Sequence, residues 1–325
     1  APLEAASLNI DLREDEIAFR CNLVTVENNK MIDYSAGHIP TQEASTLIGA
    51  LNNELASANE KFYAGKSYRH LLVIKSRQIK KLAQLKFVPP HDILGQKINA
   101  YLPSDRDAIP ALKLMEQSKR ILGNHPINKV RIDLRENPAN MIWLWGQGVK
   151  PQLPLFKDQY GVEGSIISAV DLVNGIGKLA GLEVIKVPGA TGYYDTNFSG
   201  KAQYALESLK KKDFVFIHIE APDEAGHNGD LKAKLASIEN IDREIVGAIL
   251  NHYDIQDDVR ILILPDHPTP LNLRTHTADP VCFVMAGKGI PANDSESFGE
   301  SAAQEKGIKF RSGEELMKYF ISANL

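Results

Sequence analysis

Phe214-Val215-Phe216-Ile217-His218-Ile219 is the stretch of sequence that decides the fold. A nearly continuous apolar run of this length is typical of a strand covered on both faces, as in parallel sheets. Strand-like and helix-like segments alternate on both sides of it, from the run at residues 165–170 to a closing helix at residues 313–321. This alternation predicts an α/β fold with a doubly wound, mostly parallel sheet.

The N-terminal part of the chain has a different pattern. Between residues 18 and 140, shorter apolar runs are separated by longer polar connections, which indicates a smaller α+β domain. The preceding residues are too few to form a domain, and the core pattern resumes near Trp143. We therefore predict that residues 1–17 and 141–325 form the core and that residues 18–140 are a domain inserted into it.

Composition and charge narrow the functional classes. The 325 residues are 43% hydrophobic and 24% charged, with a formal net charge of -4. This balance gives no electrostatic footprint for nucleic acid or an anionic membrane, so neither is expected as a partner, whereas a small anionic ligand is compatible with it. Cys21 and Cys282 are expected to be free thiols in a reducing compartment. No leader pattern or long apolar run is apparent, so the cytoplasm is the predicted location, and the sequence leaves a homo-oligomer open.

Carboxylates and imidazoles follow two consecutive predicted strands. Asp223 and His227 come four residues apart after the first strand, Asp266 and His267 directly follow the second, and His276 comes soon afterwards. Because ligands of open α/β sheets bind beyond the carboxyl ends of the strands, we expect these side chains to converge there. Asp and neutral His bind borderline divalent cations, and five ligands exceed the need of one ion. The pattern therefore predicts two metal ions, a known arrangement for phosphoryl transfer.

The alternative for either Asp-His pair alone is a capped turn without metal. Two pairs at consecutive strand ends, with a third histidine after them, favour the metal site. Four other histidines have different expected roles. His218 lies inside a predicted strand and is expected to be a hydrogen-bonded core residue, whereas His38, His125 and His252 lie in polar connections and are expected to be solvated.

The same motifs resemble those of a known family. Ala221-Pro222-Asp223-Glu224-Ala225-Gly226-His227, Pro265-Asp266-His267-Pro268-Thr269-Pro270 and Arg274-Thr275-His276-Thr277 are similar to motifs of the archaeal-type cofactor-independent phosphoglycerate mutases, in the alkaline phosphatase superfamily. Further similar motifs follow in order along nearly the whole chain, including Ala18-Phe19-Arg20-Cys21-Asn22, Tyr68-Arg69-His70 and Pro89-Pro90-His91-Asp92. The resemblance implies an alkaline-phosphatase-like core with an inserted, substrate-binding lid. It also implies interconversion of 3-phosphoglycerate and 2-phosphoglycerate, in glycolysis and gluconeogenesis, through a phosphoserine intermediate and without 2,3-bisphosphoglycerate.

The resemblance assigns the five metal ligands to two ions. Asp223, His227 and His276 match the ligands of one metal, while Asp266 and His267 match ligands of the other. Mn²⁺ is the expected ion, and Mg²⁺, Co²⁺ and Zn²⁺ are alternatives. In the family, an Asp and a nucleophilic Ser precede the Ala-Pro-Leu-Glu-Ala motif, with which this sequence begins. We therefore expect this chain by itself to be inactive unless another chain supplies the nucleophile.

Basic side chains are the candidates for binding the phosphoglycerate. Arginine offers a planar fork for carboxylate and phosphate groups, and lysine offers a point charge. The binding candidates are Arg20, Arg69, His70, Lys150 and Lys186. His91 with Asp92, in a proline-stiffened turn, is the candidate for general acid/base catalysis or substrate orientation. The alternative for each of them is a surface charge without a functional role.

Two alternatives to the mutase remain open at the level of sequence. A metal-dependent phosphomonoesterase would use the same core with an insert that admits water. A binding-only or inactive truncated form would hold at most one metal and a phosphoester. Arginines of the insert that reach the glycerate carboxylate favour the mutase, whereas the missing family Asp and Ser favour the inactive form.

Overall fold

The computed structural model of the protein describes residues 1–255 and 259–322. The chain divides into two compact units, Ala1–Leu153 and Pro154–Leu325, referred to below as the first and second units. Within the described residues, no helix combines the length and the apolar character needed to cross a membrane.

The first unit is built on an antiparallel sheet with the strand order β2-β1-β4-β3, to which β5 is added through its pairing with β1. The strands are β1 (Glu16–Glu27), β2 (Lys30–Asp33), β3 (Glu60–Lys66), β4 (Arg69–Lys75) and β5 (Met141–Val149). The helices are α1 (Pro2–Ser7), α2 (Thr41–Leu55), α3 (Ile79–Gln84), α4 (Ile109–Gly123) and α5 (Pro126–Asp133), with short 3-10 turns at Pro90–Ile93, Ile98–Tyr101 and Arg106–Ala108.

Apolar stripes on α2 and α4 form the core of the first unit with the sheet. Helix α2 buries Ala44, Leu47, Ile48 and Leu51, the spacing of one helical face. They belong to one buried cluster with residues of α4 and of the strands. Each fully buried large apolar side chain contributes roughly 1.5–3 kcal/mol. The result is a rigid sheet that can hold polar side chains of β1 and β4 in fixed positions.

The observed division of the chain differs from the predicted boundaries at residues 17 and 140. Strand β5 pairs with β1 from Met141 opposite Val24 to Val149 opposite Ile17. The apolar run around Trp143, which the sequence pattern predicts to belong to the core domain, is buried in the core of the first unit. The backbone ladder ties residues 141–149 to that unit, which extends to Leu153.

The second unit contains a parallel sheet in the order β7-β6-β8 and a separate antiparallel pair formed by β9 and β10. The predicted single sheet is thus observed as two ladders. The strands are β6 (Gly164–Ile167), β7 (Glu183–Ile185), β8 (Phe214–Ile217), β9 (Arg260–Ile263) and β10 (Val284–Gly287). The helices are α6 (Phe156–Tyr160), α7 (Asp171–Leu179), α8 (Phe198–Leu209), α9 (Ala221–Asn228), α10 (Leu231–Asn240), α11 (Gly247–His252), α12 (Glu300–Lys306) and α13 (Gly313–Ser322), with a π-helical turn at Ile241–Val246 between α10 and α11.

Strand β8 ends two residues earlier than the apolar run predicts. The backbone N–H of His218 still donates to the carbonyl of Ile167 at 2.8 Å, but the N–H of Asp223 already bonds to the carbonyl of Glu220. His218 therefore lies at the carboxyl end of the strand and not inside it. Cys21 and Cys282 are both free, as predicted.

Candidate metal centre and substrate-binding residues

Helix α9 presents the first carboxylate and imidazole of the second unit. Pro222 opens the helix, and Gly229, in the left-handed region at φ 69°, closes it. Asp223 and His227 are four residues apart and so lie on one helical face. His227 Nε2 is 3.3 Å from Asp223 Oδ2. One turn of helix thus brings together the side chains of Asp223 and His227, which are four residues apart in the sequence.

His276 completes a set of three donor atoms. Its Nε2 lies 3.0 Å from His227 Nε2 and 3.3 Å from Asp223 Oδ1. His227 Nδ1 is 3.0 Å from the carbonyl oxygen of Arg274, which only accepts, so Nδ1 carries the proton and Nε2 presents a lone pair. Metal–ligand bonds of about 2.0–2.2 Å place neighbouring ligand atoms about 3.0–3.5 Å apart. The distances and the chemistry of these three donors therefore fit a divalent cation.

Asp266 and His267 lie beside these three residues. His267 Nε2 is 3.4 Å from Asp266 Oδ2, and the His267 ring centroid is 3.7 Å from that of His276. Asp223, His267 and His276 each offer a ligand atom, all within 4.8 Å of one another. The structure thus brings the five predicted ligands together in one group, named here the Asp–His cluster: Asp223, His227, Asp266, His267 and His276.

Thr269 orients the Asp–His cluster, a role that the sequence analysis missed. Its Oγ1 donates to Asp223 Oδ1 and lies 3.3 Å from His267 Nδ1. Lys234 Nζ donates in turn to the Thr269 carbonyl at 2.8 Å. Burial lowers the pKa of Lys234, against the opposing effect of the Asp223 charge. The signal was present in the sequence, because Thr269 stands between two prolines in the segment that carries Asp266 and His267.

A second polar group lies at the carboxyl ends of β6 and β8. His218 Nδ1 is 3.1 Å from Ser168 Oγ, and Lys201 Nζ donates to the His218 carbonyl at 3.0 Å. Lys201 is 0% exposed, and burial lowers its pKa to about 8. The sequence contains a sign of this buried lysine. The buried face of α8 runs from Phe198 to Ala205, and Lys201 is a charged residue within this otherwise uncharged face.

In the first unit, three predicted substrate residues, His91, Arg20 and Arg69, take part in a row of ring contacts. The His91 ring centroid is 5.4 Å from that of Trp145 and 6.0 Å from that of Tyr34. Tyr34 in turn contacts Tyr68 at 5.8 Å. The guanidinium of Arg20 stacks over Trp145 at 4.7 Å, and that of Arg69 stacks over Tyr68 at 5.2 Å. We name this set the aromatic row: Trp145, His91, Tyr34 and Tyr68.

The two arginines that stack on the aromatic row differ in their partners. Arg20 Nε and Nη2 bind Glu4 Oε1 at 2.7 and 2.6 Å, so this guanidinium is already engaged. Arg69 is exposed and has no carboxylate partner among the residues that the structure describes. Arg69 can therefore offer its whole planar fork to an anion.

His91 and Asp92 are the two exposed residues of the 3-10 turn Pro90–Ile93. His91 Nε2 lies 3.7 Å from Asp92 Oδ1, which is an ion-pair distance but not a hydrogen bond. The turn holds the His91 ring edge-on between Trp145 and Tyr34. The pair is thus placed beside the aromatic row with an open side to solvent.

The other three candidates have different surroundings. His70 is 3% exposed, and its Nδ1 accepts the Gly65 N–H at 3.0 Å. Neighbouring residues of a strand point to opposite faces, so His70 points away from the side that carries Arg69. Lys150 Nζ pairs with exposed Asp11 at 2.5 Å, which is the surface-charge alternative. Lys186 is an exposed residue of the second unit, directly after β7.

Comparisons with known sequences address the identity of the chain. The sequence profile of the family described as "2,3-bisphosphoglycerate-independent phosphoglycerate mutase" matches residues 1–128. A protein of that name from Methanosarcina acetivorans is 51% identical over 286 residues, covering 88% of this chain and 71% of the relative. A "probable" enzyme of the same name from Geobacter sulfurreducens is 44% identical over 326 residues, covering 99% of this chain and 81% of the relative.

Comparisons with solved structures agree with the sequence relatives. The PH0037 protein from Pyrococcus horikoshii matches with a TM-score of 0.76 and 29% identity, covering 94% of this chain and 73% of that one. A cofactor-independent phosphoglycerate mutase from Thermoplasma acidophilum matches with a TM-score of 0.62 over 95% of this chain and 77% of that one, and at 23% identity this likeness concerns the fold alone. The mixed α/β class and the family resemblance are both confirmed. The chain belongs to the family of 2,3-bisphosphoglycerate-independent phosphoglycerate mutases.

Proposed function

We propose that this chain provides the metal centre and the substrate-binding residues of an enzyme that interconverts 3-phosphoglycerate and 2-phosphoglycerate without 2,3-bisphosphoglycerate. The observation that carries the proposal is the convergence of Asp223, His227 and His276, whose donor atoms lie 3.0–3.3 Å apart. The reaction belongs to glycolysis and gluconeogenesis, so we place the enzyme in the cytoplasm. The names of the relatives support a mutase and do not favour the phosphomonoesterase.

Two divalent cations are part of the proposal. Asp223, His227 and His276 would hold one ion, and Asp266 and His267 would contribute to a second; Mn²⁺ is the first choice and Mg²⁺, Co²⁺ or Zn²⁺ are alternatives. When bound, such ions stabilise charge on phosphoryl oxygens and lower the pKa of a hydroxyl nucleophile. The family's nucleophile is a serine that becomes phosphorylated during the reaction. This chain's own contribution is to fix the ligands, since the Thr269 hydroxyl holds Asp223 through a hydrogen bond.

The first unit would bind the anionic substrate. Arg69, exposed and stacked on Tyr68, presents a planar fork that suits the glycerate carboxylate or the phosphate. Arg20, held by Glu4 and by the face of Trp145, keeps a fixed positive charge beside the same row. His91, with Asp92 next to it, would hold or accept a proton at its exposed ring.

The fold proposal is finer than the mixed α/β class. We infer an alkaline-phosphatase-like, doubly wound core for the second unit. Its support is the parallel order β7-β6-β8, with ligands that follow β8 and β9 at their carboxyl ends. An insertion of residues 18–140 as a substrate lid stays a prediction.

The test is a coupled assay that consumes 2-phosphoglycerate as it forms from 3-phosphoglycerate, with Mn²⁺ and without 2,3-bisphosphoglycerate. It is run on this chain and on a version extended at its N-terminus with the corresponding segment of the relatives. We expect isomerisation by the extended chain, and its loss in EDTA. Phosphate release without isomerisation would favour the phosphomonoesterase, and no reaction by either chain would contradict the proposal.

Matched variants locate the activity. Asp223→Asn should abolish it, whereas Asp230→Asn should not, because Asp230 only caps α10 by accepting the Ala233 N–H at 2.9 Å and Asn caps equally well. In the first unit, Arg69→Lys should raise KM for 3-phosphoglycerate by about tenfold, the loss of one charge-assisted hydrogen bond. Arg77→Lys, an exposed arginine after β4, is the control that should leave KM unchanged.

A further inference from the structure

A turn that follows β2 in the first unit has an unusual backbone. Ala36, Gly37 and His38 are consecutive and all lie in the left-handed region, at φ 49°, 68° and 51°. Residues other than glycine rarely adopt this region, because their Cβ then crowds the following carbonyl oxygen. Strained backbone of this kind persists only where the surrounding structure holds it, and it is frequent at sites that clamp a ligand. We name this segment, residues 33–38, the left-handed turn.

Polar side chains hold the left-handed turn in place. The Asp33 carboxylate accepts hydrogen bonds from the N–H and the hydroxyl of Ser35, both at 2.7 Å, and from the Asn137 amide at 2.8 Å. The guanidinium of Arg131, which is 3% exposed, donates to the Ala36 carbonyl at 2.8 Å. The carboxylate that ends β2 is therefore used within the fold, and the backbone that follows it is fixed.

The segment directly after the left-handed turn is hydrogen-bonded to the hairpin that joins β3 and β4. Ser67 Oγ donates to the Ile39 carbonyl at 2.8 Å, and the Ser67 N–H donates to Thr41 Oγ1 at 3.0 Å. Ile39 comes directly after His38 in the sequence, and Arg69 comes two residues after Ser67. His38 and Arg69 are therefore presented by two segments that are bonded to each other.

Both side chains contact the ring of Tyr68, a member of the aromatic row. The His38 ring centroid is 5.9 Å from that of Tyr68, with an angle of 70° between the ring planes. The central carbon of the Arg69 guanidinium lies 5.2 Å from the same Tyr68 centroid. His38, which the sequence predicts to be solvated, is indeed exposed, but this ring contact gives it a defined position beside Arg69.

Several polar groups around Tyr68 have no hydrogen-bond or ion-pair partner in the part of the chain that the structure describes. They are the imidazole of His38, the guanidinium of Arg69 and the hydroxyl groups of Tyr34 and Tyr68. Each of these groups can donate a hydrogen bond. Such a set of donors suits the oxygens of a carboxylate or a phosphate, which are the two anionic groups of phosphoglycerate.

We propose that His38 is a further substrate-binding residue, whose imidazole binds an anionic group of phosphoglycerate together with Arg69, beside Tyr68. The inference rests on the proposed function and deepens it, because it adds a second fixed donor to Arg69. The left-handed turn holds the imidazole in position before the anion arrives, so binding loses little conformational entropy. This advantage accounts for the strained backbone at His38.

The direct test is a titration of the whole chain with 3-phosphoglycerate in EDTA, so that binding to a metal does not contribute. Nuclear magnetic resonance follows the histidine ring signals, and the signal that is absent in His38→Phe is that of His38. We expect it to move with added 3-phosphoglycerate. The signal of His252, whose exposed ring packs on Tyr253 in the second unit, should stay in place. Separate titrations with D-glycerate and with inorganic phosphate identify the anionic group that His38 binds.

Variants measure how much His38 contributes to the affinity. His38→Phe keeps a ring against Tyr68 but removes both nitrogens, and it should weaken binding of 3-phosphoglycerate by about tenfold, the loss of one hydrogen bond to a charged group. Since His38 and Arg69 hold the same anion, the loss in His38→Phe/Arg69→Lys should be smaller than the product of the two single losses. His38→Asn, which tolerates the left-handed region and keeps a donor, should recover part of the affinity. His252→Phe is the control and should bind as the wild type does.

His38→Gly separates binding from folding. Glycine adopts φ 51° without strain, so the free energy of unfolding should not fall, whereas binding should weaken as in His38→Phe. Unchanged binding in both variants, a His38 signal that responds to none of the three anions, or single losses that multiply in the double variant would overturn the inference. These results would leave the proposed function intact if the extended chain still isomerises 3-phosphoglycerate. Anion binding at His38 without such isomerisation would contradict the proposed function alone.

Discussion

A methyl group added at Gly226 tests how closely α9 must approach the segment that carries Asp266 and His267. A Cβ at this position would lie 2.5 Å from the Thr269 carbonyl oxygen, 2.8 Å from its Cγ2 and 3.0 Å from its Cβ. These contacts involve backbone as well as side chain, so the Gly226→Ala variant must shift the helix or the segment. Either shift weakens the bond from the Thr269 hydroxyl to Asp223.

The expected cost follows from three contributions. Overpacking costs about 1–3 kcal/mol, and weakening the hydrogen bond to Asp223 costs about 1 kcal/mol. Replacing glycine by alanine within a helix stabilises the folded state by about 1 kcal/mol, which offsets part of this loss. We therefore expect Gly226→Ala to lower the free energy of unfolding by about 1–3 kcal/mol and to weaken Mn²⁺ binding.

Gly247→Ala in the same unit is the matched control. Among the residues that the structure describes, its added Cβ would meet only the Asp242 carbonyl oxygen, at 3.4 Å, which is an ordinary contact. At the start of α11 this change should raise the free energy of unfolding by about 0.5–1 kcal/mol. Urea unfolding in the absence of metal measures the free energy of unfolding of both variants. If Gly226→Ala proves as stable as Gly247→Ala, the close approach of α9 to Thr269 is not the constraint that we describe.

Three other predictions concern stability. Thr269→Val removes the hydroxyl that donates to Asp223, so it should weaken Mn²⁺ binding and lower the free energy of unfolding by about 1–3 kcal/mol. Its control is Thr277→Val, which replaces a buried hydroxyl that has no partner among the described residues and should leave the free energy of unfolding unchanged or raise it. Burial lowers the pKa of His70 from 6.5 to about 4, so between these pH values the unfolded chain binds a proton that the folded chain does not. The contribution of His70 to the free energy of unfolding is therefore complete above pH 6.5 and is lost as the pH falls towards 4. Urea unfolding of the wild type and of His70→Asn between pH 7 and 4 should therefore differ in slope, by about 3 kcal/mol in total, and parallel curves would contradict this. Arg131→Lys should lower the free energy of unfolding by about 2–3 kcal/mol, because the buried guanidinium binds two carboxylates and two carbonyls. Arg120 is exposed and paired with Glu54, so Arg120→Lys should change the free energy of unfolding by less than about 1 kcal/mol.

The part of the site that lies close together in sequence could be predicted. Asp223 and His227 are bounded by a proline and a glycine, and their spacing of four residues gives one helical face. Asp266 and His267 come three and four residues after the end of β9, whose apolar run can be recognised in the sequence. Local chemistry determines these features, so the sequence was sufficient for them.

The remaining features depend on contacts between distant residues. Ser168 meets His218 because β6 pairs with β8, a partnership that no local pattern specifies. The predicted boundary near residue 140 leaves β5 outside the insert, because an apolar strand can belong to either unit until its ladder with β1 is known. His70 and Arg69 are adjacent in sequence and are both predicted substrate residues, but the pleat and the burial of His70 give the two side chains different surroundings.

Crystals grown with Mn²⁺ and measured at the manganese absorption edge would test the central claim most directly. We predict an anomalous peak within bonding distance, about 2.0–2.3 Å, of Asp223, His227 and His276. Diffraction that shows Mn²⁺ bound away from these residues, or no peak at saturating Mn²⁺, would contradict the proposed metal centre and with it the mechanism that we assign to this chain.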